Sequence, residues 1–114
     1  MKPVPHNFDP LLLRTSKGLS FLDCNSIIRV EAVSNYSRIY FNNGKTMVVA
    51  KLLRWFESQL SMQQFIRVHR THLVNKNFIR NYFNGQVSKL ELNNGELIEV
   101  ARRKRTYFLQ CLAA

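Results

Sequence analysis

Short apolar runs of four to seven residues, separated by turn-forming or charged residues, recur along nearly the whole chain. They occupy Leu11 to Thr15, Leu19 to Leu22, Ile27 to Val33, Ser37 to Phe41, Lys45 to Val49, Phe65 to Val68, Phe78 to Phe83, Gln86 to Leu92 and Glu96 to Val100. Nine runs of this length are too short for helices and have the length of strands, so they predict a mainly β domain of small antiparallel sheets. Two segments break the alternation. In KLLRWFESQL, Leu52, Leu53, Phe56 and Leu60 recur at helical spacing, and RRKRTYFLQCL places Tyr107, Phe108 and Cys111 on a comparable stripe. Each predicts a short helix packed on the sheets. A chain of 114 residues supports one core, hence one domain. Pro3, Pro5 and Pro10 mark residues 1–10 as an extended arm or a linker remnant, with the packed domain over 11–114.

The chain also resembles itself at an offset of 51 residues. SRIYFNNGKTMVVAKLLRWF (37–56) lines up with SKLELNNGELIEVARRKRTY (88–107), and the strands before them share IIR (27–29) against FIR (78–80). Both segments read as strand, Asn-Asn-Gly hairpin, strand, then Val-Ala and a helix opening with Lys or Arg. A duplicated unit and two convergent hairpins both account for this. Polarity selects the loop length: a three-residue loop sets Leu90 opposite Ile98 and Ser88 opposite Val100, whereas a two-residue loop would set Leu90 against Glu99. The three-residue loop needs Gly44 and Gly95 in the left-handed conformation.

Charge narrows the function. There are 17 Lys and Arg against 7 Asp and Glu, and between Ala32 and Leu90 the only acid is Glu57. Arg38, Lys45, Lys51, Arg54, Arg67, Arg70, Lys76, Arg80 and Lys89 lie in that stretch, and Arg102, Lys104 and Arg105 flank Arg103 near the end. One exposed cation is ordinary; this excess points to a polyanionic partner, nucleic acid before an anionic membrane. Asn35, Tyr36, Ser37 and Thr71 are interspersed among the cations and supply groups able to reach base edges, which cations on phosphate do not read. RNA is the weaker variant, because most Phe and Tyr fall inside strands rather than on open stacking platforms. The amphipathic surface of a membrane binder has one candidate, the last helix, whose apolar half is needed for the core. No apolar run is long enough to cross a membrane, and the start lacks a signal-peptide core, so a cytoplasmic protein is expected. Cys24 and Cys111 are then expected to be thiols.

The stretch FIRVHRTHLVNKNFI (65–79) concentrates these features. Read as one strand, it places His69 and His72 on opposite faces, with no acid or cysteine nearer in sequence than Glu57 or Glu91, so it is a poor metal site. No phosphate loop, nucleophile elbow or carboxylate pair marks an enzyme, and no cofactor is implied.

The same stretch closely resembles the central signature of LytTR (LytR/AgrA-type) DNA-binding domains: an aromatic residue, Arg, an apolar residue, His-Arg-Ser or His-Arg-Thr, another apolar residue and Val-Asn. IIRVEAVSNYSRIYF, KLLRWFESQL and LNNGELIEVARR resemble the flanking strand and Asn-Tyr loop, the short helix, and the closing hairpin with its arginines. The likeness runs over residues 11 to 112 in the right order. It implies a β fold with two short helices, found mostly at the C-terminus of bacterial response regulators in two-component systems. Such domains read duplex DNA with loops, often at paired promoter repeats, and bend it. The resemblance places DNA contacts at Tyr36, Ser37, Arg38, Arg70 and Arg103, and the charge pattern adds Lys76, Arg102 and Arg105. His69 and Asn75 belong to the signature and include structural roles. Trp55 is expected in the core or on a protein contact surface. Ala101 departs from the family's usual Ser, removing a hydroxyl contact or helix cap. An upstream receiver domain and self-association on DNA are the expected partners; a protein interaction module without DNA binding is the alternative.

Overall fold

The computed structural model describes residues 10–113, so residues 1–9 of the arm expected over 1–10 lie outside the described residues, while Pro10 opens the first strand. Strands β1 (Pro10–Thr15) and β2 (Gly18–Asp23) form a hairpin. Strands β3 (Ile27–Val33), β4 (Tyr36–Phe41), β5 (Thr46–Val49), β6 (Phe65–His69) and β7 (His72–Asn75) form one sheet in the order β5-β4-β3-β7-β6. Strands β8 (Ile79–Phe83), β9 (Ser88–Leu92) and β10 (Leu97–Val100) form a third, ordered β10-β9-β8. Helix α1 (Leu53–Gln59) follows β5, and α2 (Arg105–Ala113) closes the chain. Every pairing is antiparallel, and the mainly β architecture with two short helices is the expected one. The run of strands omitted β7, where Leu73 and Val74 are the only apolar pair between polar ends. Cys24, which is buried, and Cys111, which is half-buried, are not joined in a disulfide.

Two cores lie against opposite faces of the five-stranded sheet. Leu11, Leu13 and Cys24 join Val30, Ile39, Phe65, Leu73 and the helix residues Leu53 and Phe56 in the first. Ile66, Val68 and Val74 join Leu90, Leu92, Ile98, Val100 and Phe108 in the second. The period of two in β6 and β7 therefore feeds both cores from one hairpin. A seven-residue helix is not stable alone, so α1 depends on burying Leu53, Phe56 and the adjacent Leu60, about 1.5–3 kcal/mol per side chain. Leu52, expected on the same stripe, is exposed at the cap position. Trp55 is half-buried against this core, edge-on to Phe56 with ring centroids 5.0 Å apart.

The internal resemblance is carried into geometry. Both hairpins close with three residues: Leu90 faces Ile98 and Ile39 faces Met47, while Gly44 and Gly95 have φ of 86° and 87°. Before each hairpin, a short 3-10 turn (Cys24–Ser26, Lys76–Phe78) is capped by the side chain of Asp23 or Asn75, and a bulge follows after Ile27 or Ile79. The bulges show that these strands correspond at an offset of 52, so IIR and FIR do not superpose: Arg29 is buried and Arg80 exposed. The helices slip likewise. Phe108 takes the core place of Phe56, whereas Tyr107 is exposed and leaves the expected stripe.

The sheet's two parts meet where β3 pairs with β7. Val30 faces Leu73, the Ala32 amide donates to the Thr71 carbonyl at 2.9 Å, and the buried Asn75 amide donates to the Ile27 carbonyl at 2.8 Å. Nearby, the buried Arg29 guanidinium lies 3.7 Å over the Tyr40 ring; its Nε donates to Glu96 at 2.9 Å, tying this sheet to the β9–β10 loop. His72, opposite Glu31, has its pKa lowered by burial and next by the Arg29 charge, with Glu31 and Glu99 pulling the other way.

Asn75→Ala should cost about 2–3 kcal/mol in urea denaturation, because it removes a turn cap and unpairs buried backbone. The His72 shift sets a pH dependence. Its folded pKa lies below the ordinary 6.5, so the unfolded chain binds the proton first as pH falls. This contribution to stability is full above 6.5 and is lost as pH drops toward the folded value. Melting curves from about pH 8 to about pH 5 should show this loss, and His72→Gln should flatten it.

Candidate nucleic-acid interface

Antiparallel pairing sorts the connections of the five-stranded sheet by end. Val33 faces Tyr36, Ser37 faces Val49, and His69 faces His72. The β3–β4 turn, the β5–α1 connection and the β6–β7 turn therefore share one end. The segment after β10 joins them, because the Ala101 amide donates to the Val68 carbonyl at 2.8 Å. Four connections, distant in sequence, thus border one another. They and the first residues of the elements they enter carry Tyr36, Lys51, Arg54, Arg70, Arg102 and Arg103, all exposed.

A cleft of about 610 Å³ opens there, lined by Arg67, His69, Arg70, Ala101, Arg102, Arg103, Lys104 and Glu57. Beside it, Ala32, Leu52, Leu53, Arg54, Arg67 and Arg70 line a second of about 320 Å³. Arg70 borders both. Among the described residues the ion pairs are Arg29–Glu31, Arg29–Glu96 and Arg67–Glu57, so no carboxylate neutralises Arg70, Arg102 or Arg103. Lysine and arginine charges left unpaired around concave surfaces are suited to phosphate oxygens, and an arginine fork also matches two acceptors on a guanine edge.

The expected contacts divide on this geometry. Tyr36, Arg70, Arg102 and Arg103 reach the shared end. Arg38 is half-buried on β4, opposite Glu31 and Val48, on the same face as Tyr36 and set back from that end. Ser37 is corrected: it is fully buried, and its hydroxyl donates to the Lys51 carbonyl at 2.6 Å, so it braces the β5–α1 connection instead of meeting a base. Lys76 is corrected too. It lies at the opposite end of β7, and its ammonium donates to the Cys111 carbonyl at 3.4 Å, near the negative end of the α2 dipole. Arg105 is half-buried and donates to the Gln86 carbonyl at 2.7 Å, fastening α2 to the β8–β9 loop. Ala101 is the cap of a 3-10 turn (Arg102–Lys104) that leads into α2, and it makes no side-chain cap bond, as the missing hydroxyl requires.

His69 and His72 are not on opposite faces of one strand, as a single-strand reading had them. They are cross-strand partners with ring centroids 5.6 Å apart, because residues 70 and 71 form a turn. His69 Nδ1 accepts the Thr71 amide at 3.2 Å and lies 2.8 Å from the Thr71 hydroxyl, which makes it part of the turn. No group of three or more His, Cys, Asp or Glu among the described residues could hold a metal ion. Asn75 is buried and its side chain bonds backbone on both sides.

Lys51, Arg54 and Lys104 were absent from the expected site. The internal resemblance carried a signal for the first two: at an offset of 51 they align with Arg102 and Arg105. Lys51 stands 5.2 Å over the Trp55 ring, a cation held by an aromatic face without losing its charge.

Comparison with known proteins follows the same line. The family model for the LytTr DNA-binding domain matches residues 17–113. Among solved structures, the LytTr DNA-binding domain of a Bacillus cereus protein described as a methyl-accepting/DNA response regulator is similar with a TM-score of 0.78 at 25% identity, over 92% of this chain and 97% of that one. No curated protein matches. With a family model spanning nearly the whole chain and a shared fold, the chain belongs to the LytTR DNA-binding domain family.

Proposed function

We propose that this domain binds double-stranded DNA sequence-specifically as the output module of a bacterial transcription regulator working in the cytoplasm. The observation that carries the reading is the convergence of exposed, unneutralised cations from separate connections on one end of the sheet. Lys51, Arg54 and Arg102 release counterions and hold the duplex in register. Arg70 and Arg103 are the candidates for base edges in adjacent major grooves, with Tyr36 and Arg38 contacting the flanking backbone. Because the cations are spread across several loops rather than one inserted helix, simultaneous contact favours a bent duplex. Deformable steps then add to selectivity. Family membership and the response-regulator neighbour support an upstream receiver domain as the natural partner, and self-association on DNA would suit a target made of paired promoter repeats. No helix among the described residues is long and apolar enough to cross a membrane.

The competing reading, a protein interaction module on the same fold, draws on the exposed Leu12, Leu19 and Phe21 of the β1–β2 hairpin. Salt titration separates the two. With about five phosphates neutralised, log K against log salt should fall with a slope of about −4.5, and Arg103→Ala should weaken binding and reduce that slope by about 1. Arg105→Ala should instead lower the melting temperature and leave the slope unchanged. Absence of binding at low salt to every member of a random duplex pool, together with a protein partner retained after nuclease treatment, would establish the interaction module.

A further inference from the structure

We propose that Arg67, anchored by Glu57, is a positioning residue that aims Arg70 at DNA; this rests on the reading of Arg70 as a contact. Sequence places Arg67 among the cations available to a polyanion, and the structure removes it from that set. Its Nε donates to the His69 carbonyl at 2.9 Å, its Nη2 to the Arg70 carbonyl, and its Nη1 to Glu57 Oε1. One guanidinium therefore spans two consecutive turn carbonyls and a carboxylate on α1. The bulge between Arg67 and His69 accompanies this local distortion of the strand pairing.

The remaining bonds complete the hold on the turn. Thr71 offers its carbonyl to the Ala32 amide, and its own amide donates to His69 Nδ1. All three carbonyls from His69 to Thr71 are engaged by the protein, leaving the Arg70 side chain exposed above a fixed backbone. The planar fork is essential to such a span; a lysine ammonium at the same position has the charge without the geometry.

Glu57 sharpens the inference. It is the only acid between Ala32 and Leu90, and it lines the cleft that also contains Arg70, Arg102 and Arg103. As a bare charge it opposes phosphate binding. As the anchor of Arg67 it orients the turn through a partly buried, charge-assisted bond, and the two roles predict opposite signs for its removal.

The test measures affinity for a duplex selected from a random pool and for its scrambled control, with thermal melts verifying that each variant is folded. Glu57→Gln should weaken the selected duplex about fivefold despite adding one net positive charge, while the scrambled duplex binds unchanged or tighter. Arg67→Lys should also weaken it with charge conserved. In an Arg70→Ala background, neither substitution should weaken it further. Equal tightening of both duplexes by Glu57→Gln would reduce Glu57 to a charge, and an undiminished loss in the Arg70→Ala background would detach the pair from Arg70; either overturns the proposal. If Arg70→Ala alone changes nothing, the contact assigned to Arg70 fails, which is distinct from failure of positioning. Should Arg67→Lys fail to fold, Glu57→Gln carries the test, since it leaves both backbone bonds of Arg67 available.

Discussion

The pairing of β3 with β7 joins two pieces that could each form locally. A three-stranded meander and a two-stranded hairpin become one sheet only through this contact, which closes a long loop containing α1 and therefore costs chain entropy that local hairpins do not. The junction is secured near both ends, by Asn75 on Ile27 and by Ala32 on Thr71. Its interior faces two cores, with Val30 and Leu73 on one side and Val74 on the other. The second end bears on the proposed function: the bond that terminates the pairing also positions the β6–β7 turn beside the β3–β4 turn, so Arg70 and Tyr36 inherit their relation from the sheet.

The same framework divides the cations by what their donors can reach. Arg29, Arg67, Lys76, Arg80 and Arg105 direct hydrogen bonds to carboxylates or backbone carbonyls within the protein. In Arg29 and Arg67 one fork reaches more than one group of the protein, as a lysine ammonium could not with the same planar geometry. Those bonds leave each positive charge in place but constrain the side chain, so only part of the basic composition forms a surface free to rearrange around phosphate. Several of the acceptors that sort the two sets come from segments distant in sequence, such as Gln86 for Arg105 and Cys111 for Lys76.

That dependence on distant acceptors marks where sequence reasoning succeeds and where it stops. The alternation of apolar residues identified the β architecture, and polarity alone selected the three-residue hairpin that sets Leu90 against Ile98. These are local properties with a period of two. Ser37 could not be read in this way: its hydroxyl is taken by a carbonyl fourteen residues on, while the flanking Tyr36 is exposed. β7 was hidden by its brevity, and with it the fact that the two histidines oppose one another across a hairpin. The one-residue slip between the repeated units is masked in the sequence by identical Ile-Arg pairs that align at 51, although the bulges align at 52.

The slip gives the two helix mouths different chemistry on a common plan. In the first unit the β5–α1 connection brings Lys51 and Arg54 to the shared end, with both side chains exposed. In the second, Arg102 and Arg103 are exposed, but Arg105, which aligns with Arg54 at the sequence offset of 51, is displaced by the slip and turns to the Gln86 carbonyl. Arg70 borders the clefts beside both mouths, so it separates two unequal basic surfaces: one of about 320 Å³ with Arg54, the other of about 610 Å³ with Arg102 and Arg103. A strictly repeated module would offer equivalent surfaces to the duplex on either side. This domain offers unequal ones, so under the proposed DNA-binding reading a duplex reversed across Arg70 would meet a different arrangement of donors, and the asymmetry would favour one orientation of binding.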